Sequence, residues 1–224
     1  MTPLPETHSV RILIEKDTLE GILTFPKGAT GLVLFVHGSG SSRMSSRNQF
    51  VAQTLNNAGI ATLLFDLLTA KEELIDNVTA EFRFNIDLLT NRLIKTTDWV
   101  VGNNETKHLK IGYFGASTGA AAALLAAAQR PKIVKAIVSR GGRADLAERG
   151  LKDVYAPTLL IAGGKDYPVI QMNEFALEKL ICEKKLLIIP GATHLFEEAG
   201  KLEEVAALAK GWFKEHFLPP KPEF

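Results

Sequence analysis

Six short runs of nearly unbroken apolar residues limit what this chain can fold into more than any other feature. They lie at 31–37, 60–66, 109–114, 133–139, 157–162 and 185–189. Gly31-Leu32-Val33-Leu34-Phe35-Val36-His37 is representative. A strand with water on one face alternates apolar and polar residues, whereas a strand covered on both faces does not. Helical patterns fill the intervals. Residues 48–58 place Val51, Leu55 and Ala58 on one face, and 82–101 carry Ile86, Leu89, Leu93 and Val100 at helical spacing. Residues 118–129 are almost all Ala and Leu. Segments 171–182 and 201–217 complete the set, the last with Leu202, Val205, Leu208, Ala209, Trp212 and Phe213 on an apolar stripe. Strand alternating with helix predicts an α/β fold: a mostly parallel central sheet with helices on both faces. Ahead of it, 8–16 and 18–25 alternate around a Lys16-Asp17-Thr18 turn. They predict an N-terminal antiparallel hairpin that extends one sheet edge.

Composition excludes several classes. With 224 residues and 46% hydrophobic content, the chain has enough apolar material for a sizeable core, and general disorder is ruled out. A balance of 26 basic and 25 acidic residues argues against a broad nucleic-acid footprint. Cys182 is the one cysteine, which excludes an intramolecular disulfide and a thiolate zinc cluster. No run of about 18 apolar residues predicts a membrane span. The N-terminus does not resemble a signal peptide. We expect a cytoplasmic protein, a monomer or homodimer, acting on a small molecule and not on nucleic acid or membrane. One domain over 1–224 is the economical reading, with 1–7 and 218–224 loosely held.

Gly115-Ala116-Ser117-Thr118-Gly119 fits Gly-x-Ser-x-Gly between a buried strand and an Ala-rich helix. Such a turn holds a serine in a strained conformation above the sheet, at a helix N-terminus. There the oxygen meets substrate, and free N–H groups favour developing negative charge. A serine needs a base to take its proton. Of five histidines, His194 alone follows a strand through a Pro-Gly-Ala-Thr loop at the C-terminal sheet edge. The base needs a carboxylate to fix its tautomer. Asp166, after Gly163-Gly164-Lys165, has that placement, and Asp145 and Asp153 do not. The catalytic candidates are therefore Ser117, Asp166 and His194. The expected oxyanion donors are the N–H groups of Thr118 and of Ser39, in the loop His37-Gly38-Ser39-Gly40-Ser41-Ser42. His37 reads as a buried histidine that orients this loop.

Together, His-Gly-Ser-Gly at 37–40, Gly-Ala-Ser-Thr-Gly at 115–119, Gly-Gly-Lys-Asp at 163–166 and Gly-Ala-Thr-His at 191–194 resemble the α/β-hydrolase superfamily. The resemblance covers nearly the whole chain. Short length without an obvious cap resembles the dienelactone hydrolase group, and Ser-Ser-Arg-Met-Ser-Ser-Arg-Asn at 41–48 looks like its small members. It implies an α/β-hydrolase fold with no large cap domain. Dienelactone hydrolase proper uses a cysteine nucleophile. Ser117 at the matching position favours simple ester hydrolysis instead.

The expected activity is that of a serine hydrolase on small to medium carboxylic esters, with no metal and no cofactor. Thioester or lactone hydrolysis and acyl transfer use the same machinery, and a non-catalytic ligand-binding role is the rival from another class. Arg43, Arg47, Arg140 and Arg143 gather at predicted C-terminal strand edges, where they could bind a substrate carboxylate or else pair with nearby acidic residues. Segment 67–85 reads as a solvated surface loop and helix start, with a cover over the site as the alternative.

Overall fold

The computed structural model describes residues 5–218. The strands are β1 (Glu6–Ile14), β2 (Asp17–Phe25), β3 (Gly31–Val36), β4 (Ala61–Phe65), β5 (Lys110–Ala116), β6 (Val134–Arg140), β7 (Thr158–Gly163) and β8 (Lys184–Ile189). The helices are α1 (Ser46–Asn56), α2 (Ala70–Thr79), α3 (Ile86–Gly102), α4 (Thr118–Gln129), α5 (Tyr167–Lys179) and α6 (Lys201–Phe217), and Ala144–Asp153 forms a 3-10 helix. One eight-stranded sheet runs β1-β2-β4-β3-β5-β6-β7-β8. The β1–β2 and β2–β4 pairs are antiparallel and the rest are parallel. This is the α/β-hydrolase fold, with the hairpin at one edge and, among the described residues, no large cap insertion.

Each face of the sheet carries its own core. Ile12, Leu34, Leu63, Tyr113 and Ile137 meet the alanines of α4 and the apolar stripe of α3. Val33, Phe35, Phe114, Val138 and Ile161 meet α1 and α6. The unbroken runs arise because β3, β4 and β5 are covered on both sides. β8 departs from that pattern. It is the far edge, so Lys184 and Lys185 are exposed, as is Ile188.

Several boundaries differ from the sequence reading, among them the start of α3 at Ile86 and not 82. Residues 6 and 7, expected in a loose N-terminus, pair with Phe25 and Thr24 in the hairpin. At the other end, Leu218 accepts from Lys110 Nζ at 3.0 Å; the remainder of the expected loose ends, 1–4 and 219–224, lies outside the described residues. α5 begins at Tyr167, not 171, because Pro168 occupies the first turn, where a missing N–H costs nothing. Segment 67–85 is largely exposed, as read from the sequence, but residues 70–79 within it form a helix of their own, α2, capped by Thr69, whose side chain accepts from Glu72 N–H while Glu72 accepts from Thr69 N–H.

Candidate active site

The chain leaves β5 and turns directly into α4 at Ser117. This residue has φ 51° and ψ −124°, a left-handed conformation that costs a non-glycine residue energy. The surroundings hold it there: Ser117 N–H donates to Arg140 O at 3.2 Å, and Ser117 O accepts from Arg143 N–H at 3.0 Å. Gly119 lets the turn approach β3. A Cβ there would sit 2.2 Å from Val36 O and 2.5 Å from His37 O.

At the ends of β7 and β8 the two loops are hydrogen-bonded together. Gly164 N–H donates to Ile189 O at 2.8 Å, and Lys165 N–H to Ala192 O at 2.9 Å. This clasp sets Asp166 against His194, with His194 Nδ1 2.6 Å from Asp166 Oδ2. The short distance fits a charge-assisted bond in which Nδ1–H donates. Such a bond leaves Nε2 as the free, proton-accepting nitrogen. Thr193 N–H donates to both carboxylate oxygens of Glu198, at 3.0 and 3.2 Å, which tethers the His194 loop from behind.

Ser117 and His194 line one cleft of about 180 Å³, with Gly38, Ser39, Arg47, Asn48 and Arg140 among its walls. Among the described residues no hydrogen bond joins Ser117 Oγ to His194. Catalytic hydrogen bonds commonly tighten only as substrate arrives.

Thr118 and Ser39 are adjacent, as expected of two donors to one oxygen. Thr118 is the first residue of α4, so its N–H has no carbonyl partner inside the helix. The Ser39 amide differs from expectation. It donates to Thr118 Oγ1 at 3.0 Å, so it is not free. Ser39 Oγ lies 2.9 Å from that same oxygen and donates to Arg83 O at 3.0 Å. His37 is buried behind this loop. Its Nδ1–H donates to Gly38 O and its Nε2 accepts Leu67 N–H, each at 3.0 Å. Burial pushes the imidazole below its ordinary pKa, more than the Gly38 bond and the nearby carboxylates raise it.

The four arginines divide into two pairs. Arg43 is removed from the substrate-binding candidates: its guanidinium and its N–H are both held by Asp66, at the end of β4. Arg143 is removed too. It forms a two-pronged pair with Asp145, at 2.9 and 2.8 Å, two residues along the chain. In both cases a local carboxylate captured the cation, which strand-edge placement alone does not reveal. Arg47 and Arg140 do line the cleft beside Ser117. Arg47 Nη1 reaches the exposed Glu197 at 2.9 Å. Arg140 is buried, and desolvation together with the neighbouring Arg47 charge pulls its pKa down to about 10.

The sequence model of the dienelactone hydrolase family matches residues 19–217. The chain belongs to the dienelactone hydrolase family. The crystal structure of dienelactone hydrolase from Anabaena variabilis ATCC 29413 is 57% identical, with a TM-score of 0.95 over 96% of this chain and 99% of that one. A putative phosphoribosyl transferase of Mycobacterium tuberculosis (strain ATCC 25618 / H37Rv) is 51% identical over 216 residues, covering 96% of this chain and 48% of the relative. The chain thus spans about half the length of the curated relatives it matches. Est1E from Butyrivibrio proteoclasticus, 19% identical with a TM-score of 0.78 over 93% of this chain and 98% of that one, shows the shared fold.

In this dienelactone hydrolase family member, two supports of the site escaped the sequence reading. Gly141 has φ 53°, and a Cβ there would lie 3.2 Å from His194 O and 3.5 Å from its ring. The Gly141-Gly142 pair after β6 was the available signal. The other support is the buried Asp76 of α2. It accepts from Phe82 N–H, Arg83 N–H and Arg83 Nε at 2.7, 2.9 and 2.6 Å, fixing the carbonyl that Ser39 Oγ meets. Thr69-x-x-Glu72 was its visible trace, a capping box that announces a helix. Among the described residues, no helix is long and apolar enough to cross a membrane, and no group of three His, Cys, Asp or Glu is placed to hold a metal ion.

Proposed function

We propose that the protein is a serine hydrolase that cleaves small to medium carboxylic esters through an acyl-Ser117 intermediate. One observation carries the reading: an Asp-paired imidazole and a serine on a strained strand-to-helix turn line the same cleft. Ser117 Oγ attacks the ester carbonyl while His194 Nε2 takes its proton. Asp166 holds Nδ1–H and stabilises the imidazolium. The carbonyl oxygen, now negative, is received by the N–H groups of Thr118 and Ser39, the latter released from the Thr118 hydroxyl. His194 returns the proton to the leaving alkoxide. It then deprotonates a water that attacks the acyl-serine, and the acid departs.

Membership of a family named for a lactone hydrolase agrees with this chemistry, since a lactone is a cyclic ester. The small cleft favours small-molecule substrates. Lactones and thioesters fit the same machinery. Phosphoribosyl transfer, named for a relative twice as long, is not carried over, because an Asp-His pair beside a serine is suited to acyl chemistry. We take the protein to act alone or as a homodimer in the cytoplasm, on neither nucleic acid nor membranes.

The test uses a fluorophosphonate probe and 4-nitrophenyl esters. Covalent labelling at Ser117, with turnover abolished in Ser117→Ala at unchanged circular dichroism, is expected. Retained turnover in that variant overturns the nucleophile. Reversible ligand binding without labelling supports the non-catalytic rival.

A further inference from the structure

Four residues at the end of β6, 140–143, form a strap that reaches both Ser117 and His194. Arg140 O accepts from Ser117 N–H at 3.2 Å, and Arg143 N–H donates to Ser117 O at 3.0 Å. Between them Gly141, at φ 53°, lies against the base: a Cβ there would sit 3.5 Å from Cε1 and Nδ1 of His194. Gly141 N–H donates to Ile161 O of β7 at 2.8 Å. The remaining member, Gly142, is gripped from the side of the acid. Asn173 Nδ2 donates to Gly142 O at 2.9 Å and to Val169 O at 2.7 Å. Asn173 lies in α5, about two turns after Asp166, the residue at the N-cap position of this helix. One amide thus ties the helix that starts at the carboxylate to the strap that borders the serine and the imidazole.

Packing does not account for an asparagine here. Its side chain is fully buried, and its Oδ1 has no hydrogen-bond partner. Nδ2 faces two carbonyl oxygens, which only a donor can do, so the amide cannot turn over to relieve that oxygen. A buried polar atom left unpaired is costly, and a leucine of similar volume would avoid it. What asparagine supplies is a second N–H, one that leaves its own helix and crosses to the strap. Two adjacent glycines are a very permissive stretch of backbone. Gly142 cannot be stiffened by a side chain, because a Cβ there would collide with Ser139 Oγ and Ala120 Cβ. We propose that Asn173 is a positioning residue: through Gly142 O it holds the strap that sets His194 in register with Ser117. It acts in the reaction proposed above and so rests on the hydrolase reading. Among the described residues Ser117 Oγ and His194 share no hydrogen bond, so their register is set by these surroundings, and a misplacement of about 1 Å can cost about a hundredfold in rate.

The experiment separates the two bonds of the amide. Asn173→Leu keeps the volume and removes both donors. Asn173→Ser keeps the local bond, since a helical serine donates back to the carbonyl four residues earlier, here Val169 O, but its shorter side chain leaves Gly142 O unheld. Both variants should lower kcat on 4-nitrophenyl acetate by about tenfold or more, with KM within about twofold, and should slow fluorophosphonate labelling of Ser117 in parallel. Leu177→Ala, on the same helix and packed against the hydrophobic core, should lose stability and keep its kcat. A kcat within about threefold of the wild type in both Asn173 variants overturns the proposal. So does an equal fall in kcat for Leu177→Ala at matched thermal stability, which would reduce Asn173 to a structural residue.

A second readout needs no turnover. The Nδ1–H proton of His194, shared with Asp166 across 2.6 Å, is expected as a low-field proton NMR signal, assigned by its loss in His194→Gln. It should shift or broaden in both Asn173 variants and stay in place in Leu177→Ala, because Asn173 acts on the ring through Gly142 and Gly141. If the wild type shows neither ester turnover nor Ser117 labelling, the hydrolase reading fails while the positioning of His194 is still judged on this signal. A signal that both Asn173 variants leave unchanged then overturns it.

Discussion

Thr118 Oγ1 accepts the amide hydrogen of Ser39 at 3.0 Å, so the residue that should supply one oxyanion donor also occupies the other. For both N–H groups to reach a substrate oxygen, the hydroxyl must let go. A neutral hydrogen bond contributes a net of about 1 kcal/mol, equivalent to about fivefold in rate. Thr118→Ala should therefore raise kcat on a neutral 4-nitrophenyl ester by up to about fivefold, and Thr118→Ser should match the wild type. A fall in kcat for Thr118→Ala would mean that the hydroxyl instead holds the loop in register.

The 2.6 Å contact between His194 and Asp166 makes a different prediction. Asp166→Asn preserves size but presents an amide N–H or a neutral oxygen to the ring, so the correct tautomer is no longer enforced. In triads of this kind the penalty in kcat is about 10⁴. KM should change little, because the carboxylate does not touch substrate. Steady-state kinetics separates the two constants. A loss below about tenfold, with the ring position unchanged, would indicate that another group orients His194.

How legible the site was depended on whether a residue's role is set locally or by distant neighbours. Ser117 directly follows the buried strand β5, Asp166 comes shortly after the buried β7 and His194 shortly after the edge strand β8, and strand ends are visible as the point where an apolar run meets glycine or proline. A parallel sheet gathers those ends at one edge, so three local readings converge in space. The arginines had the same placement and divided. Arg143 was captured by Asp145, two residues away, and Arg43 by Asp66, 23 residues away. Side-chain pairing is chosen among alternatives of similar energy, and spacing does not rank them. α2 was missed for another reason: its one buried residue is a charged one, Asp76, so hydrophobic periodicity had nothing to register.

His37 gives the fold a pH dependence whose sign can be stated. Its imidazole is neutral in the fold because burial holds its pKa below the ordinary value of about 6.5. Between those two values the unfolded chain binds a proton that the folded chain does not. Stability from this group is thus complete above about pH 6.5 and is lost as pH falls toward the folded value, by at most about 1.4 kcal/mol per pH unit. Thermal melts from pH 7.5 to 5 should show that decline. His37→Gln does not titrate, so its melts should be flatter over this range even if lower overall. Parallel curves for the two proteins would remove His37 as the cause.

Two glycines to alanine should move stability in opposite directions. At Gly119 the added methyl meets the backbone oxygens of Val36 and His37, at 2.2 and 2.5 Å. β3 and the start of α4 would have to part, and both are wholly buried. Overpacking of this kind costs about 1–3 kcal/mol when side chains can yield. Here the obstruction is main chain, so the loss should reach the top of that range or pass it, with the Ser117 turn distorted as well. At Gly211, in α6, a methyl finds nothing within 4 Å. Alanine there restricts the unfolded chain and favours helix, which should add about 0.5–1 kcal/mol. Chemical denaturation of the two variants checks both signs. A stable, active Gly119→Ala would mean that α4 can withdraw from the sheet, and with it that the strained serine turn is not fixed by close approach to β3.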